Sequence, residues 1–114
     1  MIRDVQQINS PEVINGLKEL APALIVSIRF GGILKEKVIN IPTKGIINLH
    51  SGILPKYKGV MATFWAMKNN DNKIGTTLHT IDDGSIDTEK IIKTSTALVN
   101  RDKSYLWHVL ELYK

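Results

Sequence analysis

Residues 45–59 constrain the fold of this 114-residue chain more than any other stretch. They read Gly45-Ile46-Ile47-Asn48-Leu49-His50-Ser51-Gly52-Ile53-Leu54-Pro55-Lys56-Tyr57-Lys58-Gly59. Ile46 and Ile47 are β-branched and apolar, a pattern that suits a strand buried on both faces. The run then ends in polar side chains and enters a loop bounded by Pro and Gly. Asn48 and His50 are two positions apart, so an extended backbone points both to the same side. An amide beside an imidazole at a strand's carboxyl end is a reactive arrangement, and in open α/β sheets that end is where ligands bind. A lone Asn-x-His also arises by chance, and a single histidine is often a hydrogen-bonded structural residue.

The flanking segments supply the rest of an α/β rhythm. Ser10-Pro11 is a helix start, with serine as N-cap and proline in the first turn. Val13, Ile14, Leu17 and Leu20 form a helical apolar stripe, and Pro22 ends it. Leu24-Ile25-Val26-Ser27-Ile28 is a nearly continuous apolar run and reads as a buried parallel strand. Arg29-Phe30-Gly31-Gly32-Ile33-Leu34 follows it. Adjacent glycines there serve either a tight turn or the close approach of a ligand. Residues 35–41 read as a short helix or turn closed by Pro42.

Beyond the loop, residues 60–68 contain Met61, Phe64, Trp65 and Met67 and are apolar nearly all round, which predicts a buried helix. Residues 69–72 are a turn cluster. Residues 75–81 and 91–99 are β-rich and predict an antiparallel pair added to the parallel part. Asn100-Arg101-Asp102 offers helix caps. Leu106, Val109, Leu110 and Tyr113 then follow helical spacing. The pattern opens on a helix leading into a strand and stops with a helical stripe still running, which predicts a piece of a larger domain, incomplete at its amino-terminal side, or a subunit completed by a partner.

Bulk composition narrows the function classes. With 43% hydrophobic and 23% charged residues the chain is an ordinary soluble sequence, long enough for a single domain with a modest core. Net charge is +4 and the pI about 9.4. Basic residues alternate with acids, as in Lys35-Glu36-Lys37, so no nucleic-acid stripe forms and no nucleic-acid partner is expected. There is no cysteine, which excludes disulfides and cysteine-based zinc sites. No apolar signal segment or membrane-length run occurs, so no membrane partner and a cytoplasmic location are expected.

Two ordered motifs carry a resemblance. The first is residues 48–59, similar to an Asn-x-His followed by a Leu-Pro-x-Tyr-x-Gly loop. The second is Gly75-Thr76-Thr77-Leu78-His79 followed by Ile81-Asp82-Asp83-Gly84-Ser85-Ile86-Asp87-Thr88, similar to a Gly-x-Thr-x-His segment and an Asp-x-Gly-x-Asp-Thr-Gly turn. Together they resemble the folate-dependent formyltransferase family, which includes glycinamide ribonucleotide, methionyl-tRNA and sugar-amine formyltransferases. The resemblance runs from about Ala21 to Ile92. It implies a three-layer, Rossmann-like α/β fold with a mixed, mainly parallel sheet, and a single partial catalytic domain over residues 1–114. It also implies transfer of a formyl group from 10-formyltetrahydrofolate to a small-molecule amine acceptor.

The same resemblance assigns residues. Asn48 matches the asparagine that donates to the developing oxyanion. His50 matches the histidine that polarises the carbonyl or moves protons. Asp87 matches the aspartate that holds His50 or a water and receives the amine's proton. Phe30, Gly32, Ile33, Leu34, Ser51, Leu54, Pro55, Asp82, Asp83 and Gly84 match the folate pocket. Three features depart from the family pattern. Glu89 stands where a glycine is usual, residues 60–63 match neither the purine nor the initiator-tRNA members, and the amino-terminal strand-helix units are absent.

Other readings compete. One is a truncated, non-catalytic relative serving as a folate-binding or protein-interaction module. Another is a metal hydrolase using His50, His79 and Asp87, though no compact ligand spacing supports it. His79 and His108 read as structural or surface residues. A sheet edge left bare by missing strands would invite a homo-oligomer to cover it.

Overall fold

Ser10 and Pro11 open the first helix as their chemistry predicts. The computed structural model describes residues 3–82 and 90–114. In it α1 spans Pro11–Leu20, and the Ser10 side chain accepts from the Val13 N–H at 3.4 Å. Ala21 closes the helix in the left-handed region, and its N–H donates to the Leu17 and Lys18 carbonyls. Strand β1 (Ile25–Ile28) follows, then α2 (Glu36–Ile39), β2 (Ile46–His50), α3 (Ala62–Lys68), β3 (Lys73–Ile81), β4 (Ile91–Leu98) and α4 (Tyr105–Glu111).

The described strands form one mixed sheet in the order β1-β2-β3-β4. β1 runs parallel to β2, with Ile25 opposite Ile46 and Ser27 opposite Asn48. β3 is antiparallel to β2, with Ile46 opposite Ile81, Asn48 opposite His79 and His50 opposite Thr77. β4 is antiparallel to β3, as the sequence predicts. The parallel part of the sheet is therefore one pairing of the three. This register matters for function, because residues directly opposite share a face. Asn48, His50, His79 and Thr77 thus sit together.

Two apolar clusters fasten helices to the sheet. Ile14 of α1, Val38 and Ile39 of α2, Leu34 and Ile46 form one, with Leu17, Ile25 and Ile81 packed against it. Tyr57, Ala62 and Ala66 of α3, and Ile74 form the other, with Met67, Val99 and Leu112 alongside. Full burial of a side chain such as Ile46 or Ile74 contributes roughly 1.5–3 kcal/mol.

Several apolar stretches are less buried than their composition suggests. β1 is an edge strand and hides only one face, leaving Val26 and Ile28 each 54% exposed. α3 turns only Ala62, Thr63 and Ala66 fully inward, while Trp65 is exposed. In α4 the buried positions are His108 and Val109, whereas Leu106 and Leu110 face outward. The α4 cap is Ser104, whose hydroxyl accepts from the Trp107 N–H at 3.1 Å, and not the Asn100–Asp102 cluster. An apolar run or stripe marks an element but not which neighbour covers it. No helix among the described residues is long and apolar enough to cross a membrane.

Candidate active site

The carboxyl end of β2 carries the site. Asn48 donates from Nδ2 to His79 Nε2 at 3.1 Å. His79 Nδ1 lies 2.9 Å from the Thr80 carbonyl oxygen. A carbonyl only accepts, so the His79 proton sits on Nδ1 and Nε2 is the acceptor. That pairing fixes which end of the Asn48 amide points at β3. It also uses only one of the two Nδ2 hydrogens, so the second remains to be offered to a ligand.

His50 makes the opposite choice of tautomer. Its Nε2 is 2.7 Å from the Tyr57 carbonyl oxygen, so Nε2 carries a proton. The His50 and His79 rings meet edge-on, with centroids 6.5 Å apart. Both rings are buried, His79 almost completely.

The loop after β2 is held from two sides. Thr77, fully buried on β3, donates its hydroxyl to the Gly52 carbonyl at 2.7 Å and accepts from the Leu54 N–H at 3.1 Å. Gly52 has no room for a side chain. A Cβ there would lie 2.5 Å from that of Ala62 and 2.8 Å from His50 Nε2. Further along, the Tyr57 hydroxyl donates to Asp71 at 2.5 Å and Lys56 pairs with the same carboxylate at 3.0 Å. The Tyr57 bond, then that of Lys56, holds the Asp71 carboxyl below its ordinary range. Asp71 in return holds the Lys56 ammonium above its own.

A second loop closes over the strand ends. Asn9 donates to the Ile33 carbonyl at 2.7 Å and accepts from the Lys35 N–H at 2.9 Å, which anchors residues 29–34. Arg29 opens this loop in the left-handed region, at φ 53°. Its guanidinium lies over the Tyr113 ring at 5.4 Å, and Tyr113 hydrogen-bonds Ser51 through its hydroxyl. Of the glycine pair, Gly32 is hemmed in, since a Cβ there would lie 2.7 Å from the Phe30 ring, whereas Gly31 has open space around it.

Between the loops lies a cavity of about 380 Å³. Phe30, Gly32, Ile33, Leu34 and Ser51, all expected in a ligand pocket, line it together with Asn48 and His50. Leu54, Pro55 and Asp82 do not line it. Leu54 is buried in the loop, Pro55 is exposed, and Asp82 accepts from the Thr80 hydroxyl at 2.9 Å. Asp83, Gly84 and Asp87 lie outside the described residues. Among the described residues no three His, Asp or Glu side chains gather as metal ligands would.

His79, expected to be structural or surface, is a buried hydrogen-bonded residue that holds Asn48 and also lines the cavity. Val60, Met61, Tyr105 and Val109 also line it. Only the β2–β3 register, which composition does not reveal, brings His79 opposite Asn48. His108 is structural: it is buried, its Nδ1 donates to the Ser104 carbonyl at 2.7 Å, and its Nε2 accepts from the Asn100 N–H at 3.0 Å.

An apolar cavity of this size with a few placed polar groups suits a small organic ligand. Asn48 supplies an N–H donor, and His50 a ring able to exchange protons. Such a pair can stabilise charge developing on an oxygen and assist proton transfer.

Comparison with known proteins points the same way. The model of the formyl transferase family matches residues 3–105. Methionyl-tRNA formyltransferase of Caldanaerobacter subterraneus subsp. tengcongensis is 36% identical over 100 residues, covering 88% of this chain and 32% of that protein. The chain spans about a third of the length of the curated relatives it matches. Phosphoribosylglycinamide formyltransferase from Bacillus halodurans superimposes with a TM-score of 0.81 at 22% identity, covering 90% of this chain and 52% of that one. A sugar N-formyltransferase from Shewanella sp. FDAARGOS_354 gives 0.78 at 20% identity, covering 94% and 42%. At such identities the two structures establish likeness of fold.

Proposed function

The chain belongs to the formyl transferase family, and we propose that its cavity takes up 10-formyltetrahydrofolate and passes the formyl group to an amine. The observation that carries this reading is the placement of Asn48 and His50 side by side on one face of β2, at the floor of the cavity. The lining fits such a donor: Phe30, Ile33, Leu34, Val60 and Met61 offer apolar surface, and a few polar side chains, Asn48, His50, Ser51 and Thr63 among them, are set within it. When bound, the donor supplies the formyl carbon that the amine attacks.

Asn48 then offers its second Nδ2 hydrogen to the oxygen on which negative charge develops. Its bond to His79 holds that amide in place before the reaction begins, which is what makes such a donor effective. His50, fixed by Tyr57, polarises the carbonyl or relays a proton. Asp87 is assigned the proton released by the amine, on the strength of the motif it shares with the family.

The acceptor follows from the relatives only as a short list. Their names specify methionyl-tRNA, phosphoribosylglycinamide and a sugar amine. The test is formyl transfer from 10-formyltetrahydrofolate labelled in the formyl carbon, with each of these three acceptors in turn. The expected result is label on the amine of one of them, and equal loss of label from the donor. Failure of all three with a folded protein, and no consumption of donor, would overturn the reading.

A further inference from the structure

Tyr57 connects the cavity's edge to the 69–71 turn. At its ring end, the hydroxyl donates to Asp71 Oδ2 at 2.5 Å and accepts from Asn69 Nδ2 at 3.3 Å. The carboxylate is further held by Lys56, and the Asp71 carbonyl accepts from Arg101 at 3.0 Å. At its backbone end, the Tyr57 carbonyl accepts the His50 Nε2–H at 2.7 Å. The ring itself is packed with Ala62, Ala66 and Ile74. Neither Tyr57 nor Asp71 lines the cavity.

We propose that Asp71 is a positioning residue for His50, acting through Tyr57. Asp71 fixes the Tyr57 phenol, the buried ring fixes the backbone at residue 57, and the carbonyl there selects the Nε2–H form of His50. Thr77 ties only the start of the loop, at Gly52 and Leu54. Among the described residues, the Tyr57 N–H also donates to the Ile53 carbonyl at 3.0 Å, a bond that lies within the loop itself. Among the described residues, the side chains that hydrogen-bond the Tyr57 phenol are Asp71 and Asn69. Because a misplacement of about 1 Å in a reacting group can cost roughly 100-fold in rate, a carboxylate outside the site gains control over chemistry inside it.

This inference rests on the reading of His50 as a member of the catalytic pair, but its test does not require turnover. The imidazole nitrogens of His50 are observed by NMR in protein labelled with ¹⁵N-histidine, at alkaline pH where the ring is neutral. Four proteins are compared: wild type, Tyr57→Phe, Asp71→Ala and Asp71→Asn. Thermal melts are recorded on the same samples. The expected wild-type spectrum shows the proton on Nε2. Tyr57→Phe keeps the packed ring but loses the bond, and together with Asp71→Ala it raises the Nδ1–H population of His50 several-fold. Asp71→Asn retains an oxygen that accepts from the phenol and restores the wild-type pattern. In a transfer assay the two disruptive variants lose kcat by about 10- to 100-fold, the upper end being the cost of a 1 Å misplacement, with KM for the donor little changed.

Lowered melting with an unchanged His50 spectrum in both disruptive variants would overturn the proposal and leave Asp71 a stability residue. A wild-type His50 carrying its proton on Nδ1 would overturn it as well. If the spectra respond as expected but the wild type transfers no formyl group, the coupling stands and the functional reading fails.

Discussion

If the proposed function holds, replacing Asn48 by alanine is expected to lower kcat for formyl transfer by about 100- to 1000-fold, the usual cost of removing one preorganised oxyanion donor, and to change KM for the folate by only a few-fold. The split follows from where the amide acts. In the ground state the formyl oxygen is neutral and gains little from one more N–H. As the amine adds, charge builds on that oxygen, and the hydrogen not used by His79 becomes valuable. Asn48→Asp is the sharper variant. It preserves shape but replaces the donor with an acceptor that carries like charge to the oxyanion, so its kcat falls at least as far. Steady-state kinetics at saturating amine reads both. A loss carried by KM with kcat intact would place Asn48 in uniform binding and not in stabilisation of the transition state.

Replacing His50 by alanine is expected to have an effect at least as large. General acid–base groups contribute typically about 100- to 10,000-fold, and a kcat loss within that range is expected. The substitution also strips the Tyr57 carbonyl of its donor. A buried acceptor left unpaired costs about 1–3 kcal/mol, so the alanine protein is also less stable in urea. His50→Gln separates the two effects. Its side-chain amide can still donate to Tyr57 but cannot exchange protons near neutral pH. Stability returns while kcat stays low. Recovery of both in the glutamine protein would make His50 a structural residue.

How far the fold was legible depends on the range of the interactions involved. α1 was readable because its signals are local: Ser10 caps, Pro11 starts, and Leu17 and Ile14 recur at helical spacing. β2 was readable because a β-branched pair runs into Asn48 and His50, and alternation alone places those two together. The site's support was not. Asp71 looks like one polar residue of a turn cluster, and only the folded chain brings it to the phenol of Tyr57, fourteen positions away. His79 becomes the partner of Asn48 through a register that spans 31 positions. The surface was misjudged for a related reason. Val109 of the α4 stripe is buried as its spacing predicts, but Leu106 and Leu110 face outward and His108 is buried beside it. The apolar stripe and the buried stripe of that helix are rotated against each other. The pocket was half legible: residues 30–34 are contiguous after a strand, whereas Val60, Met61, Tyr105 and Val109 reach the same cavity from two separate helical regions.

The central claim is that the cavity between Asn48, His50 and the 30–34 loop is a reduced-folate site. Calorimetric titration of the folded chain with 5-formyltetrahydrofolate, a stable relative of the donor, tests it most directly. Ile33→Asp serves as the control, since Ile33 lines the cavity and is half exposed, so a charge there spoils the apolar lining without disturbing the core. The account predicts saturable binding near one ligand per chain, weakened at least tenfold in Ile33→Asp while the melting temperature is kept. Absence of heat from a folded wild-type chain, or binding that Ile33→Asp leaves unchanged, would contradict it.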